Sequence, residues 1–155
     1  MNIETKFYMY CRKSTEGTDR QALSLSGQER ELKDLAERLH LKVVKIYRES
    51  QSAHHKGRPV FNQMLSEIQQ SNNNGLIVWN LNRVSRNSRD ASDVIDAMGD
   101  GFLEQIVTPN RVYRNNSDDV ASIGYDLVMA KKYSDALSEA VKRGNREKFL
   151  EKKLS

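Results

Sequence analysis

Apolar and polar stretches alternate along this chain in a way that predicts strands and helices in turn. Residues 6–11 form one apolar run, which is typical of a strand buried on both faces. Residues 26–39 carry leucines at helical spacing, and Ser24 or Ser26 is available as the N-cap of that helix. The remaining pattern predicts strands over 42–48, 76–79 and 103–107, an edge strand at 112–113, a helix opened by Pro59 and a helix over 88–99. We therefore expect an α/β fold with a mainly parallel central sheet of four to five strands flanked by helices.

A long C-terminal helix is predicted from about residue 118 to the end of the sequence. One apolar stripe follows it at helical spacing, formed by Ile123, Leu127, Ala130, Tyr133, Leu137 and Val141. We expect this stripe to pack on a partner helix, because a helix that extends past its domain has little core of its own; ordinary core packing is the alternative. No capping residue ends the helix at Ser155, so we expect it to continue in a longer parent protein. The sequence thus divides into residues 1–117 and 118–155.

Composition places the chain among globular proteins. Its 155 residues are 37% hydrophobic and 30% charged, which allows one domain with a substantial core. No apolar run approaches the roughly 20 residues of a membrane span, so we expect no membrane partner. The single cysteine, Cys11, cannot form an internal disulfide, which fits a reducing cytoplasm.

The net charge of +4 is concentrated at one end. Residues 140–155 hold six basic and two acidic side chains, while residues 1–139 balance to zero. This distribution indicates a polyanion bound near the C-terminus. A solubilising helix surface is the alternative interpretation.

Polar segments follow the first three predicted strands, and parallel strands place such segments at one edge of a sheet. We therefore expect Ser14 to face four crevice arginines: Arg12, Arg58, Arg83 and Arg86. Guanidinium groups bind phosphate bidentately and favour a serine alkoxide, so this set suits attack on a phosphodiester without a metal. The alternative is structural: Arg83 and Arg86 would belong to a helix N-terminal region and pair with Asp90 and Glu49.

Four ordered blocks resemble those of the serine site-specific recombinases, the resolvase/invertase family, and in particular the catalytic domain of their large members. The blocks are Tyr10-x-Arg12-x-Ser14 with Ser24 and Gln28, then Glu49 to Ser52 with Arg58-Pro59 and Phe61, then Leu81 to Asn87, and finally Met129 to Gly144. The resemblance covers nearly the whole chain. It implies that residues 1–117 are a catalytic domain and that residues 118–155 begin a long dimerisation and DNA-contacting helix, with the DNA-binding domain absent.

The resemblance also implies roles. Ser14 would attack a DNA phosphate and hold the 5′ end as a phosphoserine ester, while the four crevice arginines would bind and polarise that phosphate. Supporting positions would be Tyr10, Gln28, Ser52 and Asn82. The residues that contact double-stranded DNA would be Lys142, Arg143, Arg146 and Lys148. The protein would act as a homodimer on DNA and a tetramer in synapsis through the helix Ile123–Val141, without cofactor, metal or ATP, in the cytoplasm of a bacterial, phage or mobile-element context.

Asn82 departs from the family pattern, which usually has aspartate before the third-block arginine. Asparagine can accept a hydrogen bond, but it cannot act as a base or offset positive charge. One alternative function is therefore a catalytically weakened module that binds DNA or serves synapsis. Another is a metal-dependent nuclease that uses the aspartates of the helix over 88–99 and the residue after it, namely Asp90, Asp93, Asp96 and Asp100.

Overall fold

The computed structural model describes residues 4–13, 24–50, 58–84 and 88–154. Its strands are β1 (Lys6–Arg12), β2 (Lys42–Glu49), β3 (Asn74–Val78), β4 (Leu103–Val107) and β5 (Val112–Arg114). Its helices are α1 (Leu25–Arg38), α2 (Pro59–Ile68), α3 (Ser88–Gly99) and α4 (Ser117–Leu154), and a short 3₁₀ turn covers Leu81–Arg83. The predicted α/β architecture is confirmed.

The strands form one sheet in the order β2-β1-β3-β4-β5. β1 pairs in parallel with β2 and β3, β3 pairs in parallel with β4, and β5 closes the edge antiparallel to β4. The parallel pairings place the carboxyl ends of β1, β2 and β3 at the same edge of the sheet. This edge is where ligands bind in open parallel sheets.

β1 is buried on both faces, as its apolar run predicts. Tyr8 and Tyr10 lie in a core cluster with side chains of α2, α3 and α4, whereas Phe7, Met9 and Cys11 pack with α1 on the other face. β1 therefore lies between the two core clusters, and its last residue, Arg12, lies at the carboxyl edge of the sheet.

The starts of α1 and α2 follow from their capping and first-turn residues, whereas the start of β3 does not follow from local sequence. The Ser24 side chain accepts a hydrogen bond from the Gly27 amide and caps α1, and Pro59 opens α2. β3 begins two residues earlier than predicted, at Asn74, because the buried Asn74 amide donates to the carbonyls of Ser71 and Phe102. Tertiary contacts thus convert the end of a predicted turn into strand.

α4 is 38 residues long, and its first turns pack on the domain. Ile123 and Leu127, the first two positions of the predicted partner stripe, are buried in the chain's own core. That part of the interpretation was wrong, because the first turns of α4 pack against α3, β5 and the 3₁₀ turn of the same chain. The later side chains of the stripe, from Ala130 to Val141, lie outside the described part of the chain. In the described ranges no helix is long and apolar enough to cross a membrane.

Gly75 offers a direct test of the packing between β1 and β3. A Cβ atom on Gly75 would lie 2.3 Å from the Phe7 ring, so we expect Gly75→Ala to lower the free energy of unfolding by about 1–3 kcal/mol. Gly144 of α4 is the matched control, because a Cβ there meets nothing within 4 Å. Gly144→Ala should be neutral or stabilising by up to about 1 kcal/mol. Urea unfolding measures both, and equal effects would contradict the packing described here.

Candidate active site

Three predicted site arginines lie together at the carboxyl edge of the sheet. Arg12 ends β1, Arg58 immediately precedes α2, and Arg83 ends the 3₁₀ turn that follows β3. We call these three residues the arginine cluster. Ser14, Ser52 and Arg86, which sequence reasoning also assigned to the site, lie outside the described residues.

The 3₁₀ turn holds the cluster together through its backbone. The Arg12 guanidinium donates from Nε to the Arg83 carbonyl at 3.1 Å and from Nη2 to the Asn82 carbonyl at 2.5 Å. Arg58 donates from Nη1 to the same Arg83 carbonyl at 3.4 Å. Three segments that are far apart in sequence therefore meet at two adjacent peptide groups.

The arginine cluster is buried and does not line an open crevice. Relative exposure is 6% for Arg12, 5% for Arg58 and 3% for Arg83. Burying a guanidinium is costly unless it is hydrogen-bonded or paired, and the turn carbonyls supply part of that compensation. Because the cations are concentrated in a region of low solvent access, an anionic group placed there would be bound more strongly than at an exposed surface.

Gln28 supports the end of β1. It is fully buried on α1, and its Nε2 donates to the Arg12 carbonyl at 3.0 Å. This contact fixes the backbone two residues before Ser14. Gln28 therefore positions the end of β1 and the start of the segment that follows it.

Tyr10 lies two residues before Arg12 on β1, on the same face of the sheet. Its hydroxyl donates to Oε1 of Glu49 at 3.0 Å. Burial and the neighbouring Glu49 carboxylate raise the pKa of Tyr10 well above its ordinary value, so the phenol stays protonated and remains a donor. Its ring contacts Phe61 edge-on, with the centroids 5.4 Å apart. Tyr10 thus links β1 both to the end of β2 and to α2.

Sequence reasoning placed Glu49 in a family block and, in the structural alternative, named it with Asp90 as a partner of Arg83 and Arg86, but it gave Glu49 no part in the site. It is 3% exposed, and its Oε2 accepts the amides of Val60 and Phe61 at 3.1 and 3.2 Å. The signal was present in the sequence, since an acidic residue at the carboxyl end of a strand faces the same edge as the arginines. Periodicity alone does not show that a helix N-terminus is its partner.

Asn82 contributes through its backbone. Its carbonyl accepts the Arg12 guanidinium, while its side chain is exposed. The carboxylate that the family pattern would place here is replaced by a neutral amide. The site edge thus lacks one negative charge at this position.

Cys11 and the aspartates in and after α3 are the residues on which other chemistry would depend, and the side chain of Asp90 lies outside the described part of the chain. Burial raises the pKa of the Cys11 thiol to about 11, so it is protonated and a poor nucleophile at neutral pH. Asp93, Asp96 and Asp100 are exposed on α3 and just after it. Within the ranges that the structure covers, no group of three His, Cys, Asp or Glu side chains is arranged to hold a metal ion.

A basic surface lies on α4, far along the helix from the core contacts. Its members are exposed, and three of them line one groove together with Glu139. The basic residues are Lys142, Arg143, Arg146 and Lys148. Their spacing of three and four residues puts Lys142, Arg143 and Arg146 on one helix face.

Comparison with known proteins agrees with this geometry. A family model described as "Resolvase, N terminal domain" matches residues 7–154. A comparison with curated proteins found no match.

Several solved structures share the fold. The chain is similar to the N-terminal catalytic domain of TP901-1 integrase, with 19% identity, a TM-score of 0.57 and coverage of 86% of this chain and 98% of that one. It is also similar to a resolvase family site-specific recombinase from Streptococcus pneumoniae, with 18% identity, a TM-score of 0.60 and coverage of 92% and 99%. The C-terminal catalytic domain of ISC1926 TnpA, an IS607-like serine recombinase, gives 12% identity, a TM-score of 0.53 and coverage of 89% and 96%. At these identities the likeness shows a shared fold.

Proposed function

The chain belongs to the resolvase N-terminal domain family, the DNA-cleaving and rejoining domain of serine site-specific recombinases, and we propose that Ser14 is its nucleophile and the arginine cluster its phosphate site. The observation that carries this proposal is the convergence of Arg12, Arg58 and Arg83 on one turn at the carboxyl edge. Ser14 follows Arg12 by two residues, and a chain of two residues spans at most about 7 Å. Chain connectivity therefore limits the distance between the Arg12 and Ser14 Cα atoms to about 7 Å.

The proposed step is a transesterification. Ser14 Oγ forms a bond to phosphorus while the bond from phosphorus to the 3′ oxygen breaks. The serine hydroxyl gives up its proton, and the departing 3′ oxygen takes one up, so the step needs no net proton, metal or nucleotide. The 5′ end stays on the serine as a phosphodiester, and attack by a 3′ hydroxyl reverses the step and reseals the strand.

The arginines would act on the charge that develops in this step. The five-coordinate phosphorus carries more negative charge on its oxygens than the ground state, and preorganised guanidiniums stabilise that charge. Arg86 is proposed to complete the set, and Ser52 to support it. Gln28 and Tyr10 would hold the strand and helix that carry the cluster.

Double-stranded DNA is the proposed partner of the exposed basic residues of α4. These cations, Lys142, Arg143, Arg146 and Lys148, suit contacts to successive backbone phosphates. We also propose the homodimer on DNA and the synaptic tetramer, formed through the helix Ile123–Val141. Tyr125, Val128 and Met129 are exposed apolar side chains on this helix and support that assembly. A reducing cytoplasm in a bacterial, phage or mobile-element context remains the proposed setting, on the grounds of the single cysteine and the family resemblance.

The rival within the same fold is a synapsis or DNA-binding module with a weakened site, which the neutral Asn82 favours. A second rival is a metal-dependent nuclease. The three functions separate in one experiment on a supercoiled plasmid library with a randomised insert, incubated with the protein in EDTA and quenched with SDS. We expect a covalent protein–DNA adduct in EDTA. Binding without any adduct would favour the module, and cleavage only after Mg²⁺ is added would favour the nuclease.

A further inference from the structure

Glu49 makes its contacts at the point where β2 ends and α2 begins. Its Oε1 accepts the Tyr10 hydroxyl, and its Oε2 accepts the amides of Val60 and Phe61. Both carboxylate oxygens are thus used, on two different elements. A single buried side chain connects β1, β2 and the first turn of α2.

α2 depends on this contact for its N-terminal cap. Its N-cap residue is Arg58, which makes no side-chain capping hydrogen bond, and Pro59 occupies the first turn. Arginine is poorly suited to this position, because the first amides of a helix need an acceptor and the helix dipole disfavours a cation there. Glu49 supplies the acceptor and the negative charge from a neighbouring strand.

The contacts among Glu49, Tyr10 and the first turn of α2, which we call the Glu49 unit, also fix the direction of the Arg58 side chain. The Arg58 guanidinium lies 4.0 Å from the centroid of the Phe61 ring, whose amide is one of the two that Glu49 accepts. The same ring also contacts Tyr10, which donates to Glu49. Moving the first turn of α2 would therefore move Arg58 away from the Arg83 carbonyl.

The distribution of buried charge also indicates a role for Glu49 at this edge. Among the described residues, Glu49 is the one buried acidic side chain, and it lies at the edge that holds three buried arginines. In the described part of the chain, its side-chain hydrogen bonds go to the Tyr10 hydroxyl and to the α2 amides. Its effect on a bound phosphate would therefore pass through the residues that it holds.

We propose that Glu49 is a positioning residue for strand cleavage, which acts by capping α2 and so holding Arg58 in the arginine cluster. This inference rests on the proposed function. It assigns Tyr10 to the Glu49 unit, as the donor that orients the Glu49 carboxylate.

The test is a double-mutant cycle on the rate of covalent adduct formation. The substrate is the insert enriched from the randomised plasmid library by recovery of the adduct, used at saturating concentration. Glu49→Gln keeps the size of the side chain and one acceptor but removes the charge. We expect it to lower the rate about tenfold, as outer residues that orient reacting groups do. In the Arg58→Ala background, the same change should lower the rate no more than about twofold, because its target is gone.

Two further variants make the outcome specific. Glu67→Gln is the matched control, since Glu67 also joins α2 to β2, through Lys45 at 3.2 Å, but lies away from the carboxyl edge. It should leave the rate within about twofold of the wild type. Tyr10→Phe tests the same unit if Glu49→Gln fails to fold, and its smaller loss of about threefold should also vanish without Arg58.

The failures are distinguishable. A tenfold loss from Glu49→Gln that persists in full in the Arg58→Ala background would overturn this inference while leaving Ser14 chemistry intact. An unchanged rate in Glu49→Gln would do the same. A wild-type protein that forms no Ser14-dependent adduct would overturn the proposed function, and the inference with it.

Discussion

Replacing Ser14 by alanine should lower the rate of covalent adduct formation by at least about 10⁴-fold, because the phosphoserine ester cannot form without the attacking hydroxyl. Cys11 is protonated and points into the α1 face of the core. The tyrosine closest to the cluster, Tyr10, is buried and has a raised pKa. Removing the hydroxyl therefore removes the covalent step itself.

The same variant should keep its fold and its affinity for DNA. Thermal unfolding and a gel-shift titration on the enriched insert are the controls, and both should match the wild type closely. Adduct formation is measured by SDS quench and gel electrophoresis. A Ser14→Ala protein that still forms adduct at a tenth of the wild-type rate would exclude Ser14 as the nucleophile.

Replacing Arg12 by lysine should lower the rate of cleavage by about 10²-fold, although the positive charge is kept. The Arg12 guanidinium donates to two adjacent carbonyls at once, those of Asn82 and Arg83, with Nη2 and Nε. A lysine ammonium is a point charge and cannot reproduce that fork. The turn would then lose the contact that ties it to β1, and the cluster would lose its geometry.

Arg48→Lys is the matched control for this prediction. Arg48 is the residue before Glu49 on the neighbouring strand, but its side chain is half exposed and pairs with Glu29 at the surface. Its replacement should leave the single-turnover rate unchanged within about twofold, since exposed ion pairs contribute little. Equal losses in both variants would show that the fork to the turn has no part in cleavage.

The arrangement of the elements could be predicted because periodicity reports burial directly. The run in β1, the helical leucines of α1 and the proline that opens α2 each have a local cause. Because the carboxyl ends of parallel strands lie at one edge of a sheet, the sequence also predicted that Arg12, Arg58 and Arg83 lie together. The structure places all three there.

The remaining features depend on contacts between distant segments, which no local pattern carries. Arg12 and Arg58 are buried against backbone carbonyls of a 3₁₀ turn, and a sequence pattern does not show which carbonyls a side chain will reach. The role of Glu49 required knowing that the α2 amides lie beside the end of β2. The stripe of α4 was misassigned in part, because Ile123 and Leu127 fit equally well into the chain's own core.

The identity of the attached residue is the most direct test of the central claim. The adduct formed in EDTA is digested with nuclease and protease, and the nucleotide-bearing peptide is sequenced by mass spectrometry. We expect a nucleotide joined through its 5′ phosphate to the Oγ of Ser14. A nucleotide on any other side chain, or a linkage through a 3′ phosphate, would contradict it.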